Sequence, residues 1–178
     1  MIAEADVLIT ALVTVTIALA GYWITYLNNL RLSQRKERLT RVNRQLAELY
    51  GPLFALSNAS RTIWNVFTKE YVPYNSPEGR VTTETWRLWI STVFMPINLR
   101  MYELVLAKAD LLIESTMPKC LLELCAHIAA YQAVMKRWER NDFSEYTPLI
   151  AFPSEVEEYA RESFQALKAE QAKLMGKK

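Results

Sequence analysis

The first hydrophobic feature of the chain is a long stretch without charge. Asp6 and Arg31 bracket 24 uncharged residues, whose core is VLITALVTVTIALAGYWITYL, Val7 to Leu27. At about 1.5 Å per residue, a helix over this core measures roughly 31 Å, which is enough to cross the hydrocarbon part of a bilayer. A signal peptide would need a basic start and a shorter apolar run, whereas this N-terminus is acidic. The pattern therefore predicts a transmembrane helix.

Apolar positions recur at helical spacing through the rest of the chain. A heptad-like seam continues the first helix and is formed by Leu32, Leu39, Val42, Leu46 and Leu49. A break is predicted at Gly51-Pro52, where a second helix begins, since Pro is tolerated in a first turn. PYNSPEG, 73–79, is predicted to be a loop.

Three more helical regions are predicted after this loop. The first starts near Thr83, is kinked or divided at Pro96 and runs to Glu114; the second is capped by Thr116 and runs to about Arg140; the third starts at the capping box Ser154–Glu157 and ends near Leu174. NDFSEYTPLIAFP, 141–153, is predicted to lie extended against the bundle. No alternating strand pattern is present, so we predict an all-α fold in which an N-terminal transmembrane helix continues into a cytoplasmic helical bundle. Residues 1–50 would form the anchor with a basic amphipathic juxtamembrane helix, and residues 51–178 the bundle.

Positive charge is concentrated directly after the apolar stretch. The net charge is +2, residues 51–178 carry 15 basic and 15 acidic side chains, and the other six basic residues are Arg31, Arg35, Lys36, Arg38, Arg41 and Arg44. Basic residues beside a span are retained in the cytoplasm. We therefore expect a single-pass protein of the bacterial inner membrane with its N-terminus outside. The basic run would lie over anionic lipid or would only set the orientation. No aromatic residues interleave it, so direct nucleic-acid binding is not expected.

The predicted span carries a stripe of small residues on one helical face. Its members, at spacings of 4, 4, 3 and 4, are Thr10, Thr14, Ala18, Gly21 and Thr25. Such stripes let helices approach closely and form hydrogen bonds across the contact. The stripe predicts a homo-oligomer, or the wall of a narrow pore. The alternative is that these residue types are ordinary in a single span.

The strongest candidate for chemistry is one face of the helix before Arg140. Cys120, Glu123, His127 and Tyr131 share this face, and His127 is the only histidine of the chain. A metal site, a structural histidine and a switch or catalytic residue are the three interpretations, and the structural one is favoured because one helix offers three donors at best. The two cysteines are too few for a disulfide framework. We predict no metal site, no cofactor and no catalytic residue.

Other signs of enzymatic chemistry are weak. Glu103, Asp110 and Glu114 share a face with Arg100, and a solvated helix face explains them better than acid–base catalysis. With four glycines in the chain, phosphate-binding loops are hard to build, and neither G-x-S-x-G nor a P-loop occurs. An enzyme is therefore disfavoured.

Three sequence stretches carry a resemblance to known proteins. LAELYGPLFAL, FMPINLRMYELV and STMPKCLLELCAHIAAY resemble bacterial single-span, membrane-anchored helical proteins of unassigned function. In layout the chain is also similar to the membrane accessory protein of type VI-B CRISPR systems, in which an N-terminal anchor precedes a HEPN-like helical part that assembles into a membrane pore. The resemblance implies a role in antiviral defence. The HEPN motif, Arg followed by His after four to six residues, is missing, because the nearest arginine before His127 is Arg100.

Together these patterns predict a membrane-anchored, self-associating helical protein. It would act as a binding module or as a membrane-perturbing effector. Its expected partners are the lipid bilayer, further copies of itself and a protein that the sequence does not identify. The alternatives are a membrane-tethered hydrolase or nuclease with a degenerate site near His127, and an accessory subunit of a larger membrane complex.

Overall fold

The protein is helical throughout the part that the structure describes. The computed structural model covers residues 2–71 and 82–176, with side chains from residue 12 onward. The helices are α1 (Ile2–Gln45), α2 (Gly51–Tyr71), α3 (Thr83–Trp89), α4 (Met95–Ala107), α5 (Lys119–Trp138) and α6 (Glu155–Leu174). The predicted all-α fold is confirmed over these ranges, whereas the predicted loop at 73–79 lies outside them.

The chain does not leave the helical conformation at Gly51-Pro52, so the predicted break is wrong. A π-helical turn, Leu46–Tyr50, joins α1 directly to α2, and Gly51 itself has helical dihedrals (φ −64°, ψ −54°). Pro52 has no N–H, and in a regular α-helix its ring would clash with the carbonyl of Glu48. The wider turn, in which the Gly51 N–H donates to the carbonyl of Leu46, makes room for the ring.

A π-helical turn also precedes Pro96. A second π-helical turn, Ile90–Phe94, joins α3 to α4, and the Met95 N–H donates to the carbonyl of Ile90. Pro96 was predicted to kink or divide the helix. The structure divides this region into α3 and α4 at the π turn, and the chain stays helical through Pro96.

The helix after Pro96 ends at Ala107, well before the predicted end at Glu114. A 3₁₀ turn, Ala109–Leu111, follows it and brings Leu111 and Leu112 into the core. Side chains of the first long helix satisfy the backbone groups that this early end releases. Gln45 Nε2 donates to the carbonyl of Leu111 at 2.9 Å, and the Ile113 N–H donates to the hydroxyl of Tyr50 at 2.9 Å.

Neither of the two predicted helix caps forms, and the side-chain cap that is present was not predicted. Thr82 caps α3, since its hydroxyl accepts from the Thr85 N–H at 3.1 Å. Thr116, in contrast, is not the cap of α5, whose N-cap is Pro118. Ser154 makes no capping bond and its hydroxyl turns to the Glu155 carboxylate, so the predicted capping box is absent.

The core lies where α6 packs antiparallel along the continuous helix formed by α1 and α2. Tyr50 meets Tyr159, Phe54 stacks on Phe164, and Arg61 pairs with Glu157. Helices α4 and α5 complete the bundle. The side chains with no exposed surface are Leu49, Tyr50, Leu53, Phe67, Met101, Leu121, Leu124, Ile128, Val156 and Ala160.

The predicted seam of α1 is buried only at its C-terminal end. Val42, Leu46 and Leu49 are buried and Leu39 is half-buried, whereas Leu32 is exposed. Every side chain from Leu12 to Arg38 is exposed. Among the described residues, no helix combines the length and the apolar character that crossing a membrane requires. Val7 to Ala11, the start of the predicted span, contribute no described side chains.

Candidate functional site

A cavity of about 560 Å³ opens in the bundle and is lined mainly by aromatic and other apolar side chains. It lies between α2, the segment from α3 to α4, and α5, and the connection before α6 closes one side. Small-molecule sites have this size range and are mostly apolar with a few placed polar groups. Aromatic, polar and charged side chains all contribute to its wall, which includes Ser57, Ser60, Arg61, Trp64, Trp86, Phe94, Met95, Asn98, His127, Tyr131, Phe152 and Glu157.

Aromatic rings build most of the cavity wall. The Trp64 ring meets the rings of Trp86 and Phe94 edge-on, with centroids 6.1 and 5.7 Å apart. On the opposite side, the His127 ring meets those of Tyr131 and Phe152 edge-on, at 5.5 and 5.4 Å. Edge-to-face pairs at these distances are favourable, so the aromatic side chains on each side of the cavity stabilise one another's positions.

The connection 141–153 is fixed to the bundle through its backbone carbonyls. The carbonyl of Tyr146 accepts two hydrogen bonds, from Trp86 Nε1 at 3.0 Å and from the Tyr131 hydroxyl at 3.1 Å. Trp138 Nε1 donates to the carbonyl of Glu145 at 2.8 Å. The segment therefore contacts the bundle, as predicted, although its Leu149 side chain is fully exposed.

His127 is held by the same connection and not by Glu123. Its Nδ1 lies 2.7 Å from the carbonyl of Ile150, and the side chain is buried. A carbonyl can only accept, so Nδ1 carries the proton. Burial lowers the pKa of His127, although its bond to Ile150 acts in the opposite direction. The ring is therefore neutral at pH 7, and Nε2 keeps its lone pair.

Only two members of the predicted face reach the cavity. His127 and Tyr131 line it, and burial raises the pKa of Tyr131 to about 12. Glu123 pairs with Lys119 at 3.3 Å, one turn earlier on the helix. Cys120 is a half-buried free thiol whose pKa is raised by burial. No group of three metal-ligating side chains comes together within the described ranges.

The carboxylates on the Arg100 face are divided among separate partners. Asp110 lies 3.6 Å from Arg44, and Glu103 is exposed. Glu114 accepts hydrogen bonds from two hydroxyls, those of Tyr159 at 3.0 Å and Tyr50 at 3.4 Å. Burial, together with the neighbouring Tyr50, raises the pKa of Tyr159. This cluster ties α6 to the rest of the core.

The basic run also divides into two groups. Arg35 donates to the carbonyl of Leu174 at 2.7 Å, Arg38 pairs with Glu170, and Arg44 lies 3.6 Å from Asp110, so these three attach α1 to the bundle. Arg31, Lys36 and Arg41 form no ion pair within residues 2–71 and 82–176. They remain available to an outside partner.

The described members of the predicted stripe lie exposed along α1. These are Thr14, Ala18, Gly21 and Thr25, while the side chain of Thr10 lies outside the described residues. The Thr25 hydroxyl donates to the carbonyl of Gly21 at 2.9 Å. A Cβ added at Gly21 would meet nothing within 4 Å. The face is therefore open within one chain.

The sequence interpretation missed Asn98, Ser57 and Ser60, which are buried and line the cavity. The available signal was small polar residues on helix faces that otherwise carry apolar side chains. Neither a protein-family model, nor a curated protein, nor a solved structure matches this chain. Function is therefore argued from the chain's own residues.

Proposed function

We propose that the chain is a membrane-anchored helical protein that self-associates through the N-terminal half of α1 and whose bundle acts as a binding module. The observation that carries the proposal is the apolar segment, residues 7–30, whose described side chains are all exposed. Leu12 is 70% exposed, Ile17 67% and Trp23 58%. Apolar surface of this extent needs a cover other than the bundle.

A bilayer suits this segment better than a groove on a partner protein. A helix that docks in a groove is apolar on one face, whereas a helix that is apolar on all sides is surrounded by lipid or by a core. Exposed apolar residues here follow one another around the helix, at Leu12, Val13, Val15, Ile17 and Leu19. The hydroxyl of Thr16 donates to the carbonyl of Leu12 at 2.8 Å, so it needs no water.

The C-terminal end of the apolar segment has the residues of a membrane interface. The rings of Tyr22 and Tyr26 stack at 6.4 Å, and Trp23 meets Tyr26 edge-on at 6.1 Å. Tyr and Trp concentrate at the level of lipid headgroups. Arg31 and Lys36 follow directly and are unpaired within the described residues, so they can face anionic lipid in a cytoplasmic leaflet.

Leu19→Arg is expected to release the protein from the membrane fraction. Arginine near the middle of a span is strongly disfavoured, by about 3 kcal/mol on insertion scales. The measurement is the fraction of full-length protein that stays with membranes after alkaline carbonate extraction. Leu32→Arg is the matched control, because Leu32 is exposed on the same helix but follows Arg31.

The control should remain in the membrane, and a reporter fused after Lys178 should read as cytoplasmic in both the parent and the control. Equal extraction of the parent and Leu19→Arg would contradict the anchor. Release of Leu32→Arg to the same extent would mean that the effect reflects added charge and not its depth in a bilayer.

Gly21→Leu is expected to weaken self-association. A leucine at this position separates helices that a small residue allows to touch. Within one chain, a Cβ at this position has no atom within 4 Å, so the monomer should fold unchanged. Ala20→Leu adds similar bulk about 100° away around the helix and should leave assembly intact. Cross-linking in mild detergent measures the oligomer. A parent that is monomeric would contradict self-association and favour a subunit of another complex.

A further inference from the structure

Asn98 places an unsatisfied polar group in the cavity wall. The residue is 5% exposed, and its side-chain Oδ1 has no hydrogen-bond partner. Buried polar groups in folded proteins are nearly always paired, so an orphan inside a cavity points to a missing partner. The oxygen occupies the buried end of the amide, so the orphaned group is a hydrogen-bond acceptor.

His127 offers a second acceptor to the same cavity. Its Nδ1 proton is committed to the carbonyl of Ile150, and no hydrogen bond to Nε2 exists within the described residues. Asn98 on α4 and His127 on α5 line the cavity from different helices. A ligand between them would therefore meet acceptors on two walls.

The remaining wall indicates an aromatic ligand without charge. Trp64, Trp86, Phe94 and Phe152 present ring surface to the cavity. The charged residues of the lining compensate each other, because Arg61 Nε lies 3.0 Å from the Glu157 carboxylate. A charged ligand would enter an apolar site without a free counter-ion, which is unfavourable.

We propose that the cavity binds an uncharged aromatic or heteroaromatic molecule that donates a hydrogen bond, and that Asn98 and His127 recognise the donor. The proposal rests on the bundle's role as a binding module and is independent of the anchor. The flat ring packs among the tryptophans. Its N–H or O–H donates a hydrogen bond to the free acceptors, Asn98 Oδ1 and His127 Nε2. A site with buried acceptors discriminates against analogues that lack the donor, because those leave the acceptors unpaired.

The test compares indole with N-methylindole, which has the same ring but no donor. The full chain is labelled with ¹³C-methyl methionine and studied by NMR in detergent, at matched free ligand concentrations. Met95 lines the cavity and is 1% exposed, whereas Met175 is 51% exposed and remote from it in sequence. Indole should shift the Met95 methyl resonance in a saturable way, leave Met175 unchanged, and bind about tenfold tighter than N-methylindole.

Asn98→Leu should weaken this preference severalfold, because His127 Nε2 is then the only one of the two acceptors that remains. Leucine has the same number and branching of side-chain heavy atoms, its extra bulk can enter the cavity, and it removes an orphaned polar group, so the variant should unfold at the same or a higher temperature than the parent. Absence of a Met95 shift, equal binding of the two probes by the parent, or a tenfold preference retained in Asn98→Leu would each overturn the proposal. Membrane release of Leu19→Arg is unaffected by any of these results, so failure of the ligand site is distinguishable from failure of the anchor.

Discussion

Phe67→Ala is expected to lower the free energy of unfolding by about 4 kcal/mol, because it empties the centre of an aromatic cluster. Phe67 has no exposed surface. Its ring lies within 6 Å, centroid to centroid, of the rings of Trp64, Tyr71, Trp86, Trp89 and Phe94. Removing the ring leaves a cavity that rigid neighbours cannot fill, since each of them is held by further aromatic contacts.

Val66→Ala is the control for this substitution. Val66 is the preceding residue on α2 and is 60% exposed, so its truncation should change stability by less than about 0.5 kcal/mol. Denaturant unfolding followed by tryptophan fluorescence measures both variants. A loss in Phe67→Ala no larger than in Val66→Ala would mean that the cluster does not pack as described.

Gly51→Ala is expected to destabilise the protein by about 3 kcal/mol, although alanine normally favours a helix. A Cβ at Gly51 would lie 2.5 Å from the carbonyl oxygen of Leu46, which is far inside contact distance. That oxygen is backbone, and it accepts the Gly51 N–H of the π turn, so it cannot move away without breaking the turn. Phe164 of α6, 3.8 Å from the same Cβ, closes the other side.

Gly21→Ala distinguishes steric conflict from the general effect of replacing a glycine. Gly21 lies on α1 with nothing near its Cβ position, so alanine there should be neutral or slightly stabilising. Thermal unfolding in detergent measures both variants. Unchanged stability of Gly51→Ala would mean that the helix passes Pro52 by another route than the π turn.

Most helices could be predicted from the sequence because their signals are local. Apolar spacing and the starts near Thr83 and at Gly51 depend on neighbours within a few residues. The end of α4 could not be predicted in this way. Helical periodicity continues to Glu114, but the chain turns at Ala107 because Gln45 and Tyr50, far away in sequence, satisfy the backbone of residues 111 and 113. Long-range hydrogen bonds override local preference there.

The candidate site could be predicted only in part, for a similar reason. His127 and Tyr131 were identified because both are chemically conspicuous and share one helix face. Ser57, Asn98 and Ile150 come from other segments, and only the packing of α2, α4 and the connection before α6 brings them near His127. Glu123, on the same predicted face, pairs with Lys119 one turn earlier on α5 and does not contribute to the site.

The uninterrupted passage from α1 through the π turn into α2 makes the apolar segment and one wall of the cavity parts of a single rod. The helix that carries Tyr22 and Trp23 continues without a non-helical residue to the cavity-lining residues Ser57, Ser60 and Trp64. Arg35 and Arg38 attach α6 to this rod just below the apolar segment. In the proposed membrane-bound form, the direction in which the cavity faces around the membrane normal would be set by the rotation of α1 about its own axis. In a symmetric assembly of anchors, every copy would present its cavity at the same angle to the central axis.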